Sequence, residues 1–174
     1  MKIKALLCCV ILFNVSCNHN TINPEKENKL KLEISNILDN WHKNAANFNH
    51  ESYISAMSND GVYIGTDANE IWTTSEFNEW SKPYFEKKHT WNFKKLKRNI
   101  YLDTQMQFAW FDELLETEMG ICRGSGVLKL EENTWKIKHY VLSATIPNEL
   151  MKQVIELKHQ KDSLNILLLR STVK

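Results

Sequence analysis

The sequence predicts a single α+β domain in which helices come first and a curved antiparallel sheet follows. Apolar residues recur at helical spacing from Leu30 to Phe48, and strand-like segments joined by short turns follow residue 106. Six Trp, seven Phe and five Tyr supply the apolar surface for one core of ordinary size. We therefore expect one domain over residues 24–160, followed by a C-terminal tail over residues 161–174.

The N-terminal segment MKIKALLCCVILFNVSC has the pattern of a secretory signal peptide, because two lysines precede an apolar run too short to cross a bilayer. Cys17, which follows small residues, resembles the lipidated cysteine of the bacterial lipoprotein lipobox. This resemblance implies a signal peptide over residues 1–16 and a lipidated Cys17 on a tether over residues 17–23. It also implies a membrane-anchored protein of the bacterial cell envelope, in the outer membrane and facing the periplasm. Ordinary cleavage or retention of the segment is the alternative.

The charge of the chain argues against a nucleic-acid partner, and its cysteine content argues against an internal disulfide. Removal of residues 1–16 takes away two of the 22 basic residues and leaves 21 acidic ones, a net charge of −1. Such a chain lacks the basic surface that nucleic-acid binding requires, so we expect no nucleic-acid partner. Of the four cysteines, Cys8 and Cys9 lie in the predicted signal peptide, so with Cys17 lipidated the mature chain keeps only Cys122 free and no internal disulfide can form. We see no phosphate-binding loop and no metal-ligand pair, and expect neither a cofactor nor a metal.

The first helix is predicted to begin at Pro24 with Asn23 as its cap, because Asn accepts a hydrogen bond from a free N–H and Pro suits the first turn. Its apolar face comprises Leu30, Ile34, Ile37, Leu38, Trp41, Ala45 and Phe48. A short helix over residues 51–57 should end at an Asn-Asp-Gly turn over residues 59–61, before the strand VYIG. Thr73 and Glu76 have the spacing of a capping box for a third helix.

The second half of the chain predicts the sheet. Its first strand changes apolar phase between Phe93 and Leu96, which indicates a bulge and a bent strand. A helix that begins near Asn148, after Pro147, ends the fold. Three further strands should form an antiparallel meander, over residues 106–115, 119–131 and 135–146.

Alternation along the meander predicts which side chains face inward, because Lys129, Lys136 and Lys138 cannot easily face a core. Gly124 and Gly126 are then expected to leave a hollow on the inner face. The predicted inner residues are Trp110, Asp112, Cys122, Gly124, Gly126, Leu128, Trp135, Ile137, His139, Val141 and Ser143. The predicted outer residues include Phe111, Glu113, Arg123, Tyr140 and Leu142, with Glu113 and Arg123 as a surface ion pair.

The apolar part of this outer face needs a cover. A second copy of the same sheet is one solution, which predicts a homodimer. The alternative is that the terminal helix covers this face.

His139 and Asp112 are the candidate catalytic residues, because a carboxylate that holds an imidazole makes it a general base. The alternative is a structural histidine. A small-molecule pocket is predicted from aromatic residues with a few polar groups: Trp41, Tyr63, Asp67, Trp80, Trp110, Cys122 and Ser143. The alternatives are core packing for the aromatic residues, an inert buried thiol for Cys122, and a turn that Asp67 stabilises together with Asn69.

Several blocks of sequence, taken in order between Ile34 and Leu157, resemble the SnoaL-like branch of the NTF2-like superfamily. They are GTDANEIW, FNEWSKPYF, TWNF, AWFDE, RGSGVL, WKIKHYVLS and IPNE. The resemblance implies an α+β cone, a curved antiparallel sheet wrapped around N-terminal helices, with a C-terminal helix. Members of this superfamily include isomerases, dehydratases, polyketide cyclases, transport factors and oligomerisation modules, so the resemblance does not fix a function.

The resemblance also argues against a steroid-isomerase mechanism. The base position of ketosteroid isomerases is matched by Gly65, and their oxyanion-binding Tyr is matched by Trp41. Asp67 can replace the base only if its turn folds inward. We therefore expect a cone that binds a small apolar or amphipathic molecule. The alternatives are a cofactor-free lyase, isomerase or hydrolase that uses His139 and Asp112, and a non-catalytic dimerisation module with a filled cone.

Overall fold

The computed structural model describes residues 23–172, so the predicted signal peptide and Cys17 lie outside the described residues. In chain order the elements are α1 (Pro24–Ala46), α2 (His50–Ser55), β1 (Met57–Ile64), β2 (Ile71–Thr73), α3 (Thr74–Glu86), β3 (Lys94–Leu102), β4 (Phe108–Thr117), β5 (Gly120–Glu131), β6 (Thr134–Ala144) and α4 (Met151–Thr172). A single 3-10 turn, Asn148–Leu150, precedes α4. Over the described range, no helix is both long enough and apolar enough to cross a membrane.

The six strands form one sheet in the order β2-β1-β6-β5-β4-β3. All neighbouring strands pair antiparallel except β1 and β6, which pair in parallel. The predicted bulge in β3 is present as a register shift between Lys95 and Lys97. Two more shifts interrupt the ladders of β1 and β6, and such irregularities bend the strands of a curved sheet. The predicted α+β fold is confirmed.

The starts of α1 and α3 were predicted correctly from their capping residues. The Asn23 side chain accepts a hydrogen bond from Glu25 N at 2.9 Å, and Thr73 and Glu76 form the predicted capping box. The turn predicted over residues 59–61 is wrong, because these residues belong to β1. They lie in the irregular part of β1, between the pairs that Met57 and Val62 make with β6, so the strand continues through Asn-Asp-Gly as a bulge.

The core lies between the helices and the inner face of the sheet. Trp41 of α1 stacks on Tyr53 with a ring separation of 5.1 Å and meets Tyr140 edge-on at 4.7 Å. The buried residues of α1 are Ile34, Leu38, Trp41, His42 and Ala45. Phe48 was predicted to share this face, but it follows the end of α1 with φ 60° and is 41% exposed.

The predicted inner face of β4 is wrong. Thr117 pairs with Gly120, so Asp112 lies opposite Ser125, and Leu115 is the residue opposite Cys122. A tight hairpin would have placed Asp112 opposite Cys122, so the observed register differs from the predicted one by three residues. An odd shift turns every side chain to the other face. The buried side chains of β4 are Ala109, Phe111, Glu113 and Leu115, whereas Trp110 and Asp112 face outward.

The inner face of β6 is correct only up to its bulge. Ile137 pairs with Leu128 as predicted, but His139 then pairs with Val127, so Lys138 is the extra residue. Side chains after the bulge change faces. Tyr140 and Leu142 are buried, while His139, Val141 and Ser143 lie on the outer face, contrary to the prediction.

The two glycines of β5 do not leave a hollow. A Cβ at Gly124 would collide with the Tyr140 hydroxyl and lie 2.9 Å from Glu113 Oε1, and a Cβ at Gly126 would lie 2.8 Å from the Phe111 ring. The space beside Gly124 is thus filled by side chains of the neighbouring strands, and the space beside Gly126 by the Phe111 ring and the His139 carbonyl. This close approach explains why glycine occupies both positions.

The outer face of the sheet keeps exposed aromatic surface. Trp110 is 46% exposed and Tyr101 is 43% exposed, and their rings stack at 5.8 Å. The helix α4 is exposed along nearly all of its length and continues through residue 160, where the tail was predicted to start. The terminal helix therefore does not cover this face, and that alternative is wrong.

A buried carboxylate joins α1 to the sheet. Glu113 is 1% exposed, and its Oε1 lies 2.8 Å from His42 Nε2 and accepts a hydrogen bond from the Tyr140 hydroxyl at 3.2 Å. Its Oε2 accepts a bond from Arg98 Nε at 2.8 Å and forms an ion pair with Arg98 Nη2 at 2.6 Å. The predicted surface pair of Glu113 with Arg123 is wrong, because Glu113 faces inward.

The surroundings of Glu113 keep its carboxyl group ionised. Burial by itself raises the pKa of a carboxyl group, but the hydrogen bond and charge of His42 and the charge of Arg98 outweigh burial and lower the pKa of Glu113 below its usual value. The charge is therefore retained because partners replace the lost water.

We predict that Glu113→Gln lowers the free energy of unfolding by about 3 kcal/mol, because it removes one of the two carboxylates that neutralise the buried Arg98 and leaves only the half-exposed Asp39 at 2.7 Å. Urea unfolding at neutral pH measures this change. The matched control is Glu116→Gln on the same strand, where the carboxylate is exposed and lies 3.6 Å from Lys94; its expected cost is below about 1 kcal/mol. Equal losses in the two variants would contradict the structural importance of the buried network.

Candidate functional site

The candidate site is a cavity of about 260 Å³ at the end of the sheet where β1 leaves it. Its walls come from the end of β1, from β2 and α3, from residues 91–93, from the β4–β5 turn and from β6. The lining residues are Tyr63, Gly65, Thr66, Glu70, Trp72, Trp80, Trp91, Asn92, Phe93, Thr117, Glu118, Met119 and Leu142. Most of the lining is apolar, as is usual for small-molecule sites.

Aromatic rings form a continuous wall of this cavity. Trp72 and Trp80 approach to 4.5 Å between ring centroids, and Trp80 and Trp91 to 6.2 Å. Tyr63 extends the wall toward the core, because its ring stacks on Phe77 at 4.0 Å. Contacts at these separations add to the stabilisation from burial, so the wall is held in place without a ligand.

The polar groups of the cavity are concentrated in the turn between β1 and β2 and in the β4–β5 turn. The Gly65 N–H donates to the Glu70 carbonyl at 2.8 Å and closes the first turn. The Glu70 carboxylate accepts a hydrogen bond from Asp67 N at 3.1 Å and fills the space where a Cβ of residue 65 would project. Glycine at position 65 is therefore what allows this carboxylate to lie against β1.

Tyr63 offers a neutral hydroxyl group. Burial raises the pKa of this phenol, and the negative charge of Glu70 raises it further. The hydroxyl group therefore stays protonated at neutral pH and can donate a hydrogen bond.

The structure brings only some of the predicted pocket residues to the cavity. Tyr63 and Trp80 line it. Trp41 and Cys122 are buried in the core, where the Cys122 sulfur lies 3.4 Å from the hydroxyl of Thr117, a lining residue.

Three other predicted pocket residues lie elsewhere. Trp110 and Ser143 are on the outer face of the sheet and therefore do not face the cavity. Asp67 is exposed, and its carboxylate accepts a bond from Asn69 N at 2.9 Å. The interpretation of Asp67 and Asn69 as a turn is confirmed, and the turn does not fold inward.

The structure does not bring His139 and Asp112 together. Both lie on the outer face, with β5 between their strands: His139 is opposite Val127, and Asp112 is opposite Ser125. The Asp112 carboxylate instead accepts bonds from Asn99 at 2.9 Å and Tyr101 at 3.5 Å. The catalytic pair was predicted because both residues were expected on the inner face, and this prediction is wrong.

The described part of the chain contains no cluster of metal-ligating side chains. Within residues 23–172, no three His, Cys, Asp or Glu side chains are grouped closely enough to hold an ion.

Several cavity residues were missed from the sequence. Trp72, Trp91 and Phe93 carry aromatic side chains whose spacing also fits a filled core, so spacing alone does not separate a wall from a core. Leu142 was missed because the bulge in β6 reverses its face. Glu70 follows a turn that is apparent in the sequence, but only the bond between Gly65 and the Glu70 carbonyl shows that its carboxylate lies against β1.

Solved structures with the same fold are distant in sequence. An NTF2-like protein of unknown function from Pseudomonas putida KT2440 superposes with a TM-score of 0.57 at 13% identity, over 70% of this chain and 91% of that one. An NTF2-like protein from Cytophaga hutchinsonii ATCC 33406 gives 0.55 at 14% identity, over 66% and 98%. The association domain of C. elegans CaMKII gives 0.58 at 13% identity, over 69% and 99%.

The family is shown by a match over most of the domain. No curated protein matches the chain. The family model described as the SnoaL-like domain matches residues 34–147, which span α1 to the end of β6. This match shows that the chain belongs to the SnoaL-like domain family, and the solved structures show that its fold is NTF2-like.

Proposed function

We propose that the protein binds a small apolar or amphipathic molecule in the aromatic cavity. The observation that carries this proposal is the cavity itself, in which three indole rings, Phe93, Met119 and Leu142 surround about 260 Å³. A ligand buried there removes its own apolar surface from water, at roughly 25 cal/mol for each Å². The hydroxyl group of Tyr63 can orient the polar end of such a ligand.

We predict that N-phenyl-1-naphthylamine, a neutral apolar fluorophore, binds the protein at one saturable site. Trp80→Ala should weaken this binding about tenfold or more, because it removes a large part of the cavity wall. Fluorescence titration measures the dissociation constant. The matched control is Trp110→Ala on the outer face, which should leave binding unchanged; equal loss in both variants would contradict the assignment of the cavity.

A second candidate function is association of two copies. Two observations favour it: the outer face exposes the stacked pair Trp110 and Tyr101, and a structural neighbour is itself an association domain. We propose a homodimer through this face. Dimerisation and ligand binding use opposite faces of the sheet, so one does not exclude the other.

We predict that Trp110→Ala raises the dimer dissociation constant by about thirtyfold, as expected for an aromatic residue at the centre of an interface. Analytical ultracentrifugation measures the constant. Trp80→Ala is the control and should leave it unchanged. A wild-type protein that remains monomeric at every concentration would overturn the dimer proposal.

We further propose that a lipid on Cys17 anchors the domain in the bacterial cell envelope, at the outer membrane facing the periplasm. The support is the sequence of residues 1–17, with its short apolar run before the cysteine. Such an anchor would keep the cavity close to a membrane, where apolar and amphipathic molecules are concentrated.

We predict that the protein incorporates labelled fatty acid and fractionates with membranes when it is expressed in a bacterial host. Cys17→Ser should abolish the label and release the protein from the membrane fraction. Cys9→Ser is the matched control and should keep both properties. A label that persists in Cys17→Ser would rule out this cysteine as the anchor.

A further inference from the structure

The charged residues that line the aromatic cavity are all acidic. Its lining includes the carboxylates of Glu70 and Glu118, and none of its thirteen lining residues is Lys, Arg or His. We infer that the ligand of this cavity carries a positive charge beside its apolar body, as a substituted ammonium group does. This inference rests on the proposed binding function and narrows its ligand class.

Neither carboxylate is neutralised by the protein. None of the ion pairs formed within residues 23–172 involves Glu70 or Glu118. Glu70 is partly buried, and the hydrogen bond from Asp67 N holds its carboxylate against β1. A partly buried carboxylate without a cationic partner attracts a ligand of opposite charge, because the attraction is screened less than at an open surface.

Two recesses that adjoin the cavity contain basic side chains. Lys87 and His89 line a recess that shares Trp80 with the cavity. His42, Lys43 and Lys95 line another that shares Asn92 and Phe93. Of these, His42 and Lys95 already bond with the carboxylates of Glu113 and Asp39. None of these five basic residues is among the residues that line the cavity itself.

The ring wall favours the same ligand class. A cation within about 6 Å of an indole face is attracted by the ring electrons, and Trp is the strongest aromatic partner. Trp72, Trp80 and Trp91 all contribute surface to the cavity. A substituted ammonium suits such a wall because its methyl groups bury apolar area while its charge interacts with the rings and with Glu70. An anion of equal size would bury the same apolar area but would be repelled by the carboxylates.

Three ligands of similar shape test this inference by displacement of N-phenyl-1-naphthylamine from the full-length protein. Benzyltrimethylammonium carries the charge, neopentylbenzene is its neutral isostere, and phenylacetate is a comparable anion. We expect benzyltrimethylammonium to bind about five- to thirtyfold more tightly than neopentylbenzene, and phenylacetate to bind most weakly. Glu70→Gln should remove most of the advantage of the cation. The matched control Glu51→Gln, an exposed residue of α2, should preserve it.

The outcomes separate this inference from the function on which it rests. If neopentylbenzene displaces the fluorophore at the same or a lower concentration than benzyltrimethylammonium, the inference of a positively charged ligand is contradicted. The proposal that the cavity binds an apolar molecule is then still supported. An advantage of the cation that survives Glu70→Gln would overturn the role of this carboxylate. Failure of the fluorophore itself to bind in a Trp80-dependent manner would overturn the binding function and the inference together.

Discussion

The negative charge of Glu113 lies where water cannot reach it, and the arrangement of the domain depends on its neutralisation. Its partners come from separate elements: His42 from α1, Arg98 from β3 and the Tyr140 hydroxyl from β6. A buried charge without partners costs several kcal/mol, so α1 can pack on the sheet only in the rotation that presents His42 to this carboxylate. Arg98 adds a bond to the Ser35 carbonyl of α1 at 2.9 Å.

The position of α1 in turn determines the aromatic layer. Trp41, one residue before His42, contacts both Tyr53 and Tyr63, and Tyr63 contacts Phe77 and Trp72. The ring contacts therefore run without a gap from the centre of the core to the wall of the cavity. The cavity is an extension of the core that the fold leaves unfilled, rather than a separate loop structure.

The sequence predicted the elements of this fold better than the faces of its strands. Caps such as Asn23 and Thr73 are local chemistry and were predicted correctly. The prediction of inward-facing side chains was wrong for two reasons. The register of the first hairpin was three residues off, which assigned Asp112 to the inner face and Glu113 to the surface. The bulge at Lys138 cannot be located by alternation alone, and it assigned His139 to the inner face. For the cavity, Tyr63 and Trp80 were recognised by residue type, but Glu70 depends on a backbone bond that the sequence does not reveal.

The parallel pairing of β1 with β6 has a consequence for how the chain folds. On one edge β1 is held by the three-residue β2, and on the other by the last strand of the sheet to be synthesised. A parallel partner so distant along the chain requires closure of a long loop, which slows folding. During synthesis, β1 can pair with β6 only after almost the whole domain has left the ribosome. Until then, the edge of β1 and the neighbouring aromatic residues are exposed to association with other chains.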